Sequence, residues 1–310
     1  MEEEKLISII ITTYKRSKEI ERAIISAKSQ TYKNIEIIVV DDNANDTNER
    51  NKTKRVVDKY KEIKYIANKK NMGGALSRNI GVQHAKGEII AFLDDDDEYT
   101  SNKIEEQYKC YLNHKNDNVG LIYSYCFWRR TNGEIIGEIK CDLEGNVLYH
   151  HMIRGIAGTS LWFLPKKVLI DIGGFEDTPC KQDFIVILKI LAAGYNVYRV
   201  PKSLVYYYEH ENERISGVGR RNIEGLLKYR NWCRKYYDKL NKKEIKEVEY
   251  NFSKELVTLY VINKMRKEAR KELINMLKKH PFSKKTLMSV AKYMFHKKYL
   301  NWLNRRKNNE

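Results

Sequence analysis

Four aspartates in a row, Asp94-Asp95-Asp96-Asp97, follow directly on the apolar run Ile89–Leu93. Carboxylates set side by side raise one another's cost of ionisation unless a cation compensates. Clustered carboxylates bind hard, oxygen-seeking cations such as Mg2+ or Mn2+, and such ions commonly hold substrate phosphates as well. Two further polar groups stand in the same relation to an apolar run: Thr12-Thr13-Tyr14 after Leu6–Ile11, and Asp41-Asp42 after Ile35–Val40. No GxGxxG or GxxxxGK[ST] loop occurs anywhere, so neither of the usual glycine-rich phosphate cradles is present. An aromatic ring at Tyr14 with a carboxylate at Asp42 suits stacking on a nucleobase and accepting its N–H. The diphosphate of such a nucleotide would then lie on a metal.

These residues need a frame that brings them together. The runs at 6–11, 35–40, 63–67 and 87–93 read as buried strands. Between them lie helical patterns: Ile20, Ala23, Ile24 and Ala27 with Ser17 as N-cap, a helix over Val56 to Tyr60, and one opened by Gly73-Gly74 and running to about His84. Alternating strands and helices predict an α/β fold with a parallel sheet covered on both faces. Ligands of such sheets sit at the carboxyl ends of the strands, where all three polar groups fall. Further on, strands are expected at Ile122–Trp128, Glu134–Ile139, Tyr195–Pro201 and Leu204–Tyr208, and a helix from Asp183 to Ala193 closed by Gly194. From about 222 the chain reads as helical, with Pro281 as a break.

Charge divides the chain. Residues 1–210 carry 31 Lys/Arg against 30 Asp/Glu, whereas residues 211–310 carry 27 against 11 and hold nearly all of the net +17. The expected division is therefore a near-neutral α/β domain over 1–215 and a basic helical region over 216–310. Within 281–310 there are eight Lys/Arg and one acid, interleaved with Leu287, Val290, Met294 and Phe295. That makeup suits an amphipathic helix lying on an anionic membrane surface. No apolar run approaches the roughly 18 residues that span a bilayer. The acidic start Glu2-Glu3-Glu4 is not that of a secretory signal, so a cytoplasmic location is expected, peripheral on the inner face of the cell membrane. Five cysteines without a CxxC pair fit neither a disulfide framework nor a structural zinc site.

Several segments, in order, resemble glycosyltransferase family 2. They are Ser8-Ile-Ile-Ile-Thr-Thr-Tyr14, Ser29-Gln-Thr-Tyr-Lys-Asn-Ile-Glu-Ile-Ile-Val-Val-Asp-Asp42, Gly73-Gly-Ala-Leu-Ser-Arg-Asn-Ile-Gly81, Gly87-Glu-Ile-Ile-Ala-Phe-Leu-Asp-Asp-Asp-Asp97, Gly173-Gly-Phe175, Gln182-Asp183 and Tyr206-Tyr-Tyr-Glu-His210. The resemblance covers residues 6–210 and implies a GT-A fold: a mixed, mostly parallel sheet with helices on both faces, followed here by an α-helical C-terminal region. It also implies roles. Thr12, Tyr14 and Asp42 would contact the nucleoside, usually uridine, and Arg78 would sit near the sugar nucleotide. Asp94, Asp95 and Asp96 occupy the family's DxD region, with Asp96 as direct ligand of Mn2+ or Mg2+ and His210 as a further ligand. Asp183 matches the catalytic base.

The activity this implies is an inverting transfer of a hexosyl or N-acetylhexosaminyl group. The sugar would pass from a nucleotide-sugar, a UDP-sugar, to a hydroxyl of a saccharide or lipid-linked acceptor in bacterial surface-polysaccharide or capsule synthesis. Two other classes compete. A basic nucleic-acid-binding protein would suit pI 9.4 and 22 tyrosines, but the charge is confined to the tail and no nucleic-acid motif occurs, so no nucleic-acid partner is expected. A metal-dependent phosphohydrolase would use the aspartate run, but the signature DxDxT is absent because Glu98 follows the run.

Overall fold

The computed structural model describes residues 4–209 and 219–295. They fall into two compact units: the first takes nearly all of the chain up to Glu209, and the second takes Met152–Arg154, Thr178–Lys181 and the described residues from 219 onward.

The first unit is built on one mixed sheet of β1 (Ile7–Thr13), β2 (Ile35–Asp41), β3 (Lys64–Ala67), β4 (Ile89–Asp94), β5 (Glu98–Tyr99), β6 (Val119–Arg129), β7 (Ile135–Ile139), β8 (Trp162–Pro165) and β9 (Asn196–Tyr208). Their order is β3-β2-β1-β4-β8-β6-β9-β5, with β7 paired to β6. The β3-β2-β1-β4 half is parallel, as the alternation of strands and helices requires. The antiparallel β8 then joins it to a parallel β6–β9 pair. Residues 7–11 of β1 are all buried, so both faces of the sheet are covered there. Ile20, Ala23, Ile24 and Ala27 of α1 (Ile20–Lys28) point inward as their spacing predicts. On α3 (Gly74–His84), a Cβ at Gly81 would overlap the side chain of Ile10, so glycine lets that helix lie against β1.

Several expectations need correction. Ser17 caps no helix: α1 begins at Ile20 without a side-chain cap, and the Ser17 hydroxyl donates to Glu49 at 3.0 Å. The helix expected at Val56–Tyr60 is α2 (Asn48–Val57), capped by Thr47, whose Oγ1 accepts from the Arg50 N–H at 3.2 Å. Its inward positions are Arg50, Thr53 and Val57, too polar to give an apolar period. The two strands expected at 195–201 and 204–208 are one strand, β9, which absorbs Pro201 through register shifts against β6 at Ser124–Cys126. Strands β5 and β8 and helix α4 (Lys103–His114) had no sequence expectation.

The remaining helices of the first unit are α5 (Leu148–Arg154, its last residues in the second unit), α6 (Lys166–Asp171) and α7 (Gln182–Ala192), the last followed by Gly194 at φ +89°. The second unit consists of α8 (Arg220–Arg234), α9 (Lys242–Ile262), α10 (Arg266–Lys279) and α11 (Lys284–Met294). Its core of Leu226, Tyr229, Val248, Phe252, Leu256, Leu273 and Met276 encloses an ion cluster. Arg230 donates to Glu249 at 3.0 Å and to Glu272 at 2.8 Å, and Arg234 donates to Glu249 at 2.7 Å. Burial pushes the Glu249 carboxyl up, but hydrogen bonds from Arg234 and Arg230 outweigh it and hold the group at about 2. Removing one partner of such a cluster strands charge in the core, at a cost of about 3–5 kcal/mol. Arg230→Met is accordingly expected to cost about 3 kcal/mol, the low end because Arg234 still covers Glu249. Urea unfolding followed by circular dichroism measures this, and a change within error of zero would show the cluster to be inert.

Candidate active site

The site grows from strand register. On β1, Thr12 lies opposite Val40 of β2 on one side and Asp94 of β4 on the other. The residues just beyond, Tyr14, Asp42 and the rest of the aspartate run, therefore leave the sheet at one edge, as the sequence predicts.

Each group there is held by tertiary bonds. Asp42 is buried and accepts from the Asn68 side chain at 2.8 Å and from the Met72 and Gly73 N–H groups at 2.7 and 2.8 Å. It thus fixes the loop that leads into α3. Gly73 has φ +83°, a conformation that favours glycine. Tyr14 stands half exposed on the loop after β1, where its ring can meet a ligand. Its own N–H donates to Asp95 at 3.2 Å, and the Lys15 N–H donates to Asn43 at 3.0 Å across a turn with φ +57°.

The four aspartates divide their work. Asp94, at the end of β4, receives Arg78 of α3 at 2.5 Å. Asp95 is buried and holds the Tyr14 loop and Arg16, the latter at 2.9 Å. Burial first, and then the neighbouring Asp96 charge, push its carboxyl up to about 7. Asp96 is ion-paired to the same Arg16. Asp97 is buried, accepts from Ser160 at 2.6 Å and is likewise pushed up by burial and by Asp96 and Asp94. Carboxylates this crowded favour any cation that reaches them.

Arg78 is nearly buried, yet its Nε and Nη1 have no hydrogen-bond partner among the described residues. A guanidinium with unspent donors next to a carboxylate edge is fitted to an anion such as a diphosphate.

Asp183 lies in the first turn of α7, where the helix dipole favours a negative charge. The preceding Gln182 reaches to 3.7 Å from the position a Cβ would take on Gly74, at the start of α3. Tyr207 on β9 joins the two sides. Its hydroxyl is pushed well above its ordinary value, first by burial and then by the charges of Asp97, Asp94 and Asp183. It therefore stays neutral within the field of both the aspartate run and Asp183. The structure thus brings Thr12, Tyr14, Asp42, Arg78, Asp94, Asp95, Asp96 and Asp183 to one region of the first unit. His210 lies outside the described residues.

Some residues of this site were given no role from the sequence. Arg16 could have been found, since a cation leaving β1 beside an acidic run leaving β4 must meet it. Tyr207 lies on an expected strand and in a family-like segment but carried no assigned role, and Ser160 sits on a short turn, Thr159–Leu161, whose placement depends on tertiary packing. Among the described residues no three His, Cys, Asp or Glu side chains close into a cage. The donor set still fits a divalent cation, because such ions are often held by one or two carboxylates and completed by substrate phosphate oxygens. Asp96 and Asp94 are the carboxylates in question.

Known proteins resemble this chain in sequence and in fold. The profile of the family "Glycosyl transferase family 2" matches residues 8–166. An Escherichia coli protein, the UDP-Glc:alpha-D-GlcNAc-diphosphoundecaprenol beta-1,3-glucosyltransferase WfaP, is 43% identical over 215 residues, which cover 66% of this chain and 78% of that protein. The chain spans about a third of the length of the uncharacterized Rickettsia glycosyltransferases it matches at 33–34% identity. Among solved structures, S. aureus TarS 1–349 in complex with UDP-GlcNAc superimposes with a TM-score of 0.59 at 15% identity, covering 89% of this chain and 92% of that one. The mannosyltransferase PcManGT from Pyrobaculum calidifontis, in complex with GDP-Man and Mn2+, does so with a TM-score of 0.57 at 16% identity, covering 95% of this chain and 83% of that one. At such identities the likeness shows the fold, which is of the GT-A kind. With its polar strand edge, its aspartate run and four of its seven ordered segments inside the matched residues, this chain belongs to glycosyltransferase family 2.

Proposed function

We propose that the protein transfers a sugar from a UDP-sugar to a hydroxyl of a lipid-diphosphate-linked saccharide, with inversion, in the synthesis of a bacterial surface polysaccharide. The observation that carries this reading is the juxtaposition of Arg78, with its two unspent donors, and the aspartate run ending β4. The activity that WfaP is named for supports the choice of donor and acceptor, and a β-linked product from an α-configured donor requires inversion.

In this mechanism Tyr14 stacks on the base, Thr12 and Asp42 hold the nucleoside, and Arg78 binds the diphosphate. Asp183 accepts the proton of the acceptor hydroxyl while its oxygen bonds to the anomeric carbon. The bond from that carbon to the diphosphate oxygen breaks in the same step, and the electron pair leaves with the diphosphate. A positioned base contributes on the order of 10²–10⁴ in rate. Mn2+ or Mg2+, held by Asp96 and Asp94 with His210 as a further ligand, would neutralise the charge developing on the departing diphosphate. The test is nucleotide release from a panel of UDP-, GDP- and dTDP-sugars, with and without a GlcNAc-diphosphate-lipid acceptor. Acceptor-dependent UDP release supports the reading, and release from no donor refutes it.

A lipid-linked acceptor would be met at the inner face of the cell membrane. No described helix is long and apolar enough to cross a bilayer. Of the expected apolar residues Leu287, Val290, Met294 and Phe295, the structure leaves Leu287, Met294 and Phe295 exposed, together with Met288; Val290 is half-buried, and α11 buries Thr286 and Ser289. Lys284 and Lys285 lie on the same helix. Each cation near an anionic surface contributes about 1 kcal/mol, decaying within a Debye length. The protein is expected to sediment with phosphatidylglycerol vesicles, less so as salt rises, and Leu287→Glu/Phe295→Glu should stay in the supernatant. Wild-type protein left in the supernatant at low salt would rule the contact out.

A further inference from the structure

Strand β7 is unlike every other strand of the sheet. All five of its residues are exposed, and Ile135, Ile136 and Ile139 show 50%, 40% and 42% of their surface to solvent. One edge pairs with β6, Cys126 opposite Ile139 and Trp128 opposite Gly137. Among the described residues no strand pairs with its other edge. A free edge with exposed isoleucines is a template for another strand, and proteins that stay apart blunt such edges with charge or proline. This edge carries no proline, and its charges are of both signs, Glu138 pairing with Lys140 at 2.6 Å.

Its sequence is complementary to itself. In Glu134-Ile-Ile-Gly-Glu-Ile-Lys140, an antiparallel partner strand related by a two-fold axis at Gly137 sets Glu134 opposite Lys140 at both ends. It sets Ile135 opposite Ile139 twice on one face, and Ile136 opposite Glu138 on the other. Opposite charges and β-branched pairs directly across a ladder both stabilise it. At the axis, nothing lies within 4 Å of a Cβ built on Gly137, so a second backbone can approach closely. The segment holds two acids and one base, a charge that an anionic lipid surface repels. We infer that β7 docks a second copy of this chain through antiparallel β7–β7 pairing, making one continuous sheet across a two-fold dimer. A ladder this short predicts a weak, concentration-dependent dimer.

This inference is independent of the proposed reaction, and its test does not use activity. Sedimentation velocity of the full chain over a concentration series is expected to show a monomer–dimer equilibrium. Glu134→Lys and Lys140→Glu each set like charges opposite at both ends of the ladder and should weaken the dimer about tenfold. The double variant Glu134→Lys/Lys140→Glu exchanges the pair and should restore it, while all three keep the wild-type melting temperature because both residues are exposed. A wild type that is monomeric throughout overturns the inference. So does a dimer that the charge exchange fails to restore. A monomer that binds neutral phosphatidylcholine vesicles and loses them on Ile136→Lys would also overturn it, in favour of a membrane contact.

Discussion

Asp183→Asn is expected to lower kcat by about 10²–10⁴ while UDP binds with nearly wild-type affinity. Asparagine keeps the size of the side chain and can still hydrogen-bond, but it cannot take a proton. In the proposed mechanism Asp183 faces the acceptor and the nucleoside is held by Thr12, Tyr14 and Asp42 at the ends of β1 and β2, so the two functions separate. The structure supports that separation: Asp183 opens α7, whereas the nucleoside residues leave strands paired in the parallel half of the sheet. A merely structural aspartate would behave differently. Losing a charge favoured by the helix dipole costs about 0.3–1 kcal/mol of stability and would leave turnover largely intact. The measurements are single-turnover transfer, UDP titration by calorimetry, and thermal melting. More than about a tenth of wild-type kcat in the variant lies outside the usual range for loss of a general base and would remove Asp183 from that role.

Asp96→Ala is expected to abolish most turnover and to break the link between divalent cations and the folded state. Four carboxylates stand in sequence here, with Asp95 and Asp97 pushed upward by burial and by their neighbours' charge. Arg16 is a cation of the chain itself that answers Asp95 and Asp96. Mn2+ added with UDP should raise the melting temperature of the wild-type protein and leave that of Asp96→Ala unchanged. Loss of a metal's charge stabilisation is worth several kcal/mol in the transition state, which corresponds to a fall of about a hundredfold or more in kcat. Wild-type activity that persists undiminished in excess EDTA would contradict the assignment. A variant that still gains stability from Mn2+ would move the ligand role to another aspartate.

The two halves of the site differ in how far the sequence discloses them. Strands β1, β2 and β4 are largely buried, so they appear as nearly continuous apolar runs, interrupted only by Ser8 and Glu36, and the polar residues ending them can be assigned to one edge from the amino-acid pattern alone. Helix α4 is the opposite case. Its inward positions include Lys103 and Gln107, whose side chains donate to the carbonyls of Trp162 and Leu161 at 3.0 and 2.8 Å. A polar stripe satisfied by distant backbone carries no periodic signal. Strand β8 has four residues and ends in a proline, and it exists because β4 and β6 both need a partner. The same holds within the site. Asp42, Arg78 and Asp94–Asp96 are legible from position and family resemblance. The bonds that fix them, from Asn68 to Asp42, Ser160 to Asp97 and Arg16 to Asp95, join residues 26 to 79 positions apart and are set by topology alone.

The measurement that tests the account most directly is the anomeric configuration of the product. The protein is incubated with an α-linked UDP-sugar and its acceptor, and the new linkage is read by proton NMR from the coupling between H1 and H2 of the transferred sugar. The account predicts a β-linkage that forms together with one UDP per sugar transferred and does not form with Asp183→Asn. An α-linked product would contradict it, because retention needs a second displacement that a single proton acceptor at Asp183 does not provide.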